Sequence, residues 1–238
     1  MIGRVILAAL LAGIAAGLIM GAIQHVRLTP LILAAETYET AAPAHNHSAG
    51  SGTTTATEVS HQHEDAGWAP ADGWQRTLAT TTTSALAGAA FAAILAGISL
   101  LAGIPVTRQN GAIWGLCGFI AVTLAPAAGL PPELPGMPAA DLVARQVWWL
   151  ATIVATGLAL YLIAFRREFW AIAGAIVLIG LPHLIGAPAP VNHESAVPPG
   201  LAAAFTANVI AAGAIFWCLI GTFLGIALSR YAKDAYAP

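Results

Sequence analysis

Six stretches of this 238-residue chain are almost wholly apolar, and each approaches the roughly 20 residues that an α-helix needs to cross a hydrocarbon layer. They cover residues 5–23, 78–101, 113–130, 147–165, 169–185 and 201–228. Inside a bilayer the backbone must satisfy its own hydrogen bonds, which leaves helices as the solution for runs of this length. Composition agrees. The chain is 58% hydrophobic and 8% charged with a mean hydropathy of +0.77, against about 25% charged residues in soluble domains. The pattern predicts an all-α polytopic membrane protein, a compact bundle of about six transmembrane helices. The fourth and fifth stretches are divided by Arg166, Arg167 and Glu168. Three adjacent charges in hydrocarbon would cost on the order of several kcal/mol, so two spans joined by a tight turn fit better than one, with five spans as the alternative. The first run exceeds the roughly 7–15 apolar residues of a signal peptide and is expected to remain as a span.

Lysine and arginine set the orientation. With six spans, Arg4, Arg108, Arg166, Arg167, Arg230 and Lys233 fall on one side and Arg27, Arg76 and Arg145 on the other. The richer side is expected to be cytoplasmic, with both termini on it. All seven histidines then lie in, or at the mouth of, the outer side. We expect one membrane domain over residues 1–238, in which residues 24–77 form an outer segment between the first two spans. Gly13, Gly17 and Gly21, with Gly111/Gly115 and Gly221/Gly225, repeat the spacing that lets helix backbones approach closely, pointing to a tight bundle or a homo-oligomer.

The outer segment holds the most distinctive chemistry. Residues 44–65, AHNHSAGSGTTTATEVSHQHED, carry two His-x-His pairs, His45/His47 and His61/His63, followed by Glu64 and Asp65. In an extended segment residues i and i+2 share a face, so each pair can present two imidazoles to one cation. The Gly/Ser/Thr spacer reads as a flexible tether that could gather both pairs around one ion. Imidazole and carboxylate suit Co²⁺, Ni²⁺, Zn²⁺ or Cu²⁺ without choosing among them; an incidental solvent loop and a pH sensor are the other readings. A second cluster, QHVRLTPLILAAETYE, holds His25, Glu36 and Glu39. If helix resumes after Pro30, the two acids lie one turn apart on one face, and simple solvated acids are the alternative. Glu133 sits in the proline-rich GLPPELPG, where helix cannot continue and where Arg145 could pair with it or with Asp141. Prolines 182, 188 and 190 interrupt the fifth span around His183, a candidate ligand close to the bilayer or a helix-end residue.

Several function classes fall away. A formal charge of -2 with no basic tract gives no case for nucleic acid. The only lysine, Lys233, lies in no Gly-rich phosphate loop. An enzyme is not expected, because no H-E-x-x-H or comparable pair of helical ligands is present, and no prosthetic group is implied. Cys117 and Cys218 sit in apolar runs and read as packing residues, with a shared soft-metal site as the alternative. Near the middle of the spans no Asp, Glu, Lys, Arg or His occurs. A conduction path would therefore use backbone carbonyls, threonines, Asn208, the cysteines or groups of another subunit.

With these stretches in view, the sequence resembles the CbtA family of predicted cobalt transporter subunits. The matching pieces, in order, are the Gly/Ala-rich first span leading into PLILAAETYE, the His loop ending in WAPADGWQRT, then WGLCGF, GLPPELPG, RQVWW and PHLIGAP. The resemblance implies a multi-pass protein of the bacterial inner membrane, for which five spans are commonly predicted; the lysine and arginine distribution is what puts the N-terminus in the cytoplasm and the His loop outside. The resemblance implies uptake of Co²⁺, with Ni²⁺ as the second candidate, for cobalamin synthesis. It also implies a small single-span partner, CbtB-like, that carries its own histidines. The rival reading is a metal-binding or metal-sensing membrane subunit that does not itself conduct.

Overall fold

The computed structural model describes residues 2–41, 70–166 and 168–229. Six helices account for the fold, and no strand occurs among the described residues. Helix α1 runs without a break through Ile2–Ile23, Gln24–Leu28 and Thr29–Ala41. Helix α2 is Trp74–Ala102, α3 is Gly111–Ala127, α4 is Leu142–Phe165, α5 is Phe169–Ile185 and α6 is Pro199–Leu228. Four of them (α1, α2, α4 and α6) are long and apolar enough to cross a membrane, and α3 and α5 are shorter apolar helices. The chain is a polytopic membrane bundle. The apolar run around residue 166 forms two helices, as the charges there demand.

Alternating direction puts the end of α1 and the start of α2, with the connections 128–141 and 186–198, on one face, and the connection 103–110 with the α4–α5 junction on the other. We call these the long-loop face and the short-turn face. At 1.5 Å per residue α1 is about 60 Å long, roughly twice the thickness of the hydrocarbon. Its second half therefore stands clear of the membrane on the long-loop face, with the first turns of α2 and α6 beside it. There the two proline-rich loops fold down onto it. Leu134 and Val197 are buried with Leu28 and Phe205, and Leu31, Ile32, Met137 and Leu201 pack around them. Pro135-Gly136 forms the corner of the first loop, with Gly136 at φ +78° and Met137 N–H donating to the Leu134 carbonyl; this is the Pro-Gly order that a type II turn requires.

The spatial order differs from the chain order. Helices pack as α2, α1, α6, α3, α4, α5, each against the next, and α2 also reaches α6 through Phe91, whose ring centroid lies 4.7 Å from that of Trp217. Glycine sets the two tightest crossings. A Cβ on Gly13 or Gly17 would enter the backbone of Gly88 and Ala89 or of Ser84 and Ala85 on α2. A Cβ on Gly221 would lie 2.6 Å from the Gly115 nitrogen, across the α3–α6 contact. Without a hydrophobic driving force between helices in lipid, such close approach supplies the dispersion that holds them.

Two helices carry a π-turn, and each is followed by proline at the same distance. In α1 the Thr29 N–H bonds the Gln24 carbonyl, and Pro30 comes next; in α3 the Ala125 N–H bonds the Ile120 carbonyl, and Pro126 comes next. Proline has no N–H to donate and its ring presses on the carbonyl four residues back, so a widened turn lets the helix continue past it. Helix α5 behaves otherwise than the sequence suggested. It runs through Pro182 to Ile185 and stops at Gly186, with φ +91°, so His183 lies in the last helical turn and not in a broken segment. The buried Pro182 carbonyl accepts a bond from Trp148 Nε1 at 3.1 Å, which fixes this end against α4.

Candidate functional site: the polar collar on the long-loop face

The π-turn of α1 lies near the membrane boundary and turns its polar side chains toward two neighbours. Gln24 Oε1 accepts from Ser84 Oγ on α2 at 2.8 Å. His25 Nδ1 lies 3.2 Å from Thr77 Oγ1, also on α2. Arg27 Nε donates to Asn208 Oδ1 on α6 at 3.2 Å, and Asn208 Nδ2 donates to the Ala204 carbonyl at 2.8 Å. Gln24, His25 and Arg27 thus form a polar collar across α2, α1 and α6.

Above the collar, Arg76 joins α2 to the outer half of α1. Its guanidinium pairs with both carboxylate oxygens of Glu36 and, at 2.7 Å, with Asp72 four residues before it. A planar fork meeting a carboxylate at two points fixes orientation as well as charge. On the far side of the bundle Arg145 Nη2 lies 3.0 Å from Glu133 Oε2. That pair borders a cleft of about 370 Å³ lined by Thr123, Pro126, Pro132 and Trp149. Asp141, the other partner open to Arg145, instead caps α4 by accepting from the Ala144 N–H at 2.9 Å. Thr206 Oγ1 donates to the Pro132 carbonyl at 3.1 Å and so ties this loop to α6. The His183 ring stands edge-on to Trp148 with centroids 5.7 Å apart.

Of the residues expected to contact metal, His45, His47, His61, His63, Glu64 and Asp65 lie outside the described residues. Glu39 follows Glu36 by three positions on unbroken helix, as a shared face requires. His25, Glu36, Glu133 and His183 occur at four separate points around the long-loop face. Among the described residues no group of three or more His, Cys, Asp and Glu is placed to hold a metal ion. Arg76, Thr77 and Ser84 went unnoticed in the sequence as partners of this region. The i,i+4 spacing of Asp72 and Arg76 hinted at their pair, but nothing in the sequence placed Glu36 opposite them.

No curated protein and no solved structure matches the chain. A family model described as "Probable cobalt transporter subunit (CbtA)" matches residues 2–229, nearly the whole length and all six helices. With a match over nearly its whole length, the chain belongs to the CbtA family of probable cobalt transporter subunits.

Proposed function

We propose that this protein takes up Co²⁺ across the bacterial inner membrane, collecting it on the long-loop face and passing it inward together with a partner subunit. The observation that carries the reading is the segregation of ligand-type side chains. Among the described residues His25, His183, His193 and every acid except Glu168 belong to the long-loop face. Arg4, Arg108 and Arg166 mark the opposite face, which the positive-inside rule makes cytoplasmic. His45, His47, His61 and His63, with Glu64 and Asp65, act as a tethered collector. Glu36 and Glu39 receive the ion on the outer half of α1, with His25 at the collar below them, and Glu133 and His183 offer a second approach on the α4–α5 side. The family description as a subunit supports a partner protein, and the resemblance supports a single-span one bearing histidines.

The membrane potential suffices as a driving force. Two charges crossing 100 mV gain roughly 4.6 kcal/mol, which sustains about a thousandfold accumulation at 1.4 kcal/mol per tenfold. The test is uptake of radioactive cobalt into liposomes holding the chain with and without its partner, with an inside-negative potential imposed or absent. Potential-driven accumulation is expected. Stoichiometric cobalt binding with no accumulation under either condition would instead favour a subunit that binds without conducting. That second reading draws on the absence of a ligand cluster among the described residues.

Arg76 competes with metal for Glu36 and Asp72 in this scheme. Arg76→Gln is expected to tighten cobalt binding severalfold. The cost in stability is about 0.5–1 kcal/mol, because side chains 26% and 31% exposed are well screened by solvent. Calorimetric titration and thermal unfolding of the same preparation measure both effects; unchanged or weaker binding would remove Glu36 from the metal path.

A further inference from the structure

Helices α3 and α4 touch mainly through the α3 π-turn and the residues after it, on the long-loop half of the bundle. Toward the short-turn face they part, and a cavity of about 540 Å³ opens between α2, α3 and α4, with Trp217 at its back. Its wall is apolar, including Ile98, Ile113, Cys117, Leu158 and Phe165. Along α4 the lining runs from Ile153 to Phe165, about 18 Å at 1.5 Å per residue. One leaflet of hydrocarbon is about 15 Å deep. The cavity thus extends from the short-turn face to the middle of the bilayer.

Two arginines stand next to residues that line its short-turn end. Arg166 follows Phe165 at the end of α4, and Arg108 lies in the turn whose flanking residues Ile104 and Asn110 line the cavity. Both arginines are exposed, and among the described residues neither has an ion-pair partner. The turn is firm. Asn110 Oδ1 accepts from the Thr107 N–H at 2.7 Å, its Nδ2 donates to the Pro105 carbonyl at 3.0 Å, and Arg108 Nε donates to Ser229 Oγ at 3.1 Å.

We infer that this cavity binds one anionic phospholipid, with an acyl chain lying between α2, α3 and α4 and the phosphate at Arg108 and Arg166. Length, apolar wall and charge each match one part of such a molecule, and basic pockets between membrane helices are a recurring way to hold anionic headgroups. A partner's membrane helix fits less well. Such a helix needs about 30 Å of wall to lie along, whereas the cavity runs along about 18 Å of α4. The lipid fills the gap between the glycine-packed helices and the α4–α5 hairpin, and so secures that hairpin. The inference rests on the membrane bundle alone and is independent of the metal carried.

Native mass spectrometry of the full chain, with phosphatidylglycerol or phosphatidylcholine of identical acyl chains, tests it. Wild-type protein is expected to retain one phosphatidylglycerol at least tenfold more strongly than phosphatidylcholine and to melt at higher temperature with it. Arg108→Gln with Arg166→Gln removes the preference. Gly157→Leu removes retention of both lipids, because Gly157 lines the cavity and no atom lies within 4 Å of the position its Cβ would take. Equal retention of the two lipids by wild type overturns the headgroup assignment. Undiminished phosphatidylglycerol on folded Gly157→Leu overturns the cavity as its seat, as does loss of a co-purifying single-span protein with lipid unchanged.

Discussion

Gly17→Leu is expected to abolish the folded bundle. The new Cβ would stand within the backbone of Ser84 and Ala85, which cannot swing aside as a flexible side chain could. Helices α1 and α2 would have to separate along the whole contact from Gly13 to Gly21. Overpacking an ordinary core costs about 1–3 kcal/mol; a clash of backbone with side chain along the largest interface costs more, against a total stability of about 5–15 kcal/mol. Size-exclusion chromatography and thermal unfolding in detergent read the outcome. Gly97→Leu is the control, because no atom lies within 4 Å of its Cβ position. A monodisperse Gly17→Leu protein melting like wild type would contradict the α1–α2 packing.

Replacing His45, His47, His61 and His63 together with alanine is expected to lower uptake tenfold or more at cobalt far below saturation, and less than twofold at saturating cobalt. Paired imidazoles on a tether raise the local concentration of ligands at the collar, an advantage that matters only while free ion is scarce. Initial rates of cobalt uptake across the concentration range distinguish the two regimes. Uptake lost at every concentration, alongside wild-type behaviour of Glu36→Ala and His183→Ala, would refute the division between a collecting loop and an entry site.

Hydropathy alone located the six helices, because a chain in lipid must hide its backbone and cannot disguise the runs that do so. The expected fifth span coincides with Phe169–Ile185, and α2 begins four residues before the expected second one, at Trp74. The glycine spacing correctly marked tight interfaces, but it did not say which helix meets which. That α1 lies between α2 and α6 depends on shapes along whole helices, and no short motif carries that information. For the same reason the pairing of Arg76 with Glu36 was illegible, whereas Glu133 was one of two partners the sequence offered Arg145, because the proline-rich loop ends where α4 begins. That helix continues through Pro182 was illegible for a local reason. Pro182 reads as a breaker, yet near the end of a helix it forfeits a single bond, and Trp148 engages its carbonyl.

The π-turns also change how positions along α1 and α3 are to be counted. A π-turn accommodates one residue more than an α-turn, so the helix beyond it is rotated by about 100° relative to an uninterrupted count. Helix α1 is therefore two rods in different phase sharing one axis. Gly13, Gly17 and Gly21 belong to the first phase, and Leu31, Ile32 and Ala35, which pack into the core, belong to the second. A heptad or helical wheel drawn straight from Ile2 to Ala41 assigns the outer half to the wrong neighbours, and a single-residue deletion between Gln24 and Leu28 would carry Glu36 a quarter-turn or more away from Arg76.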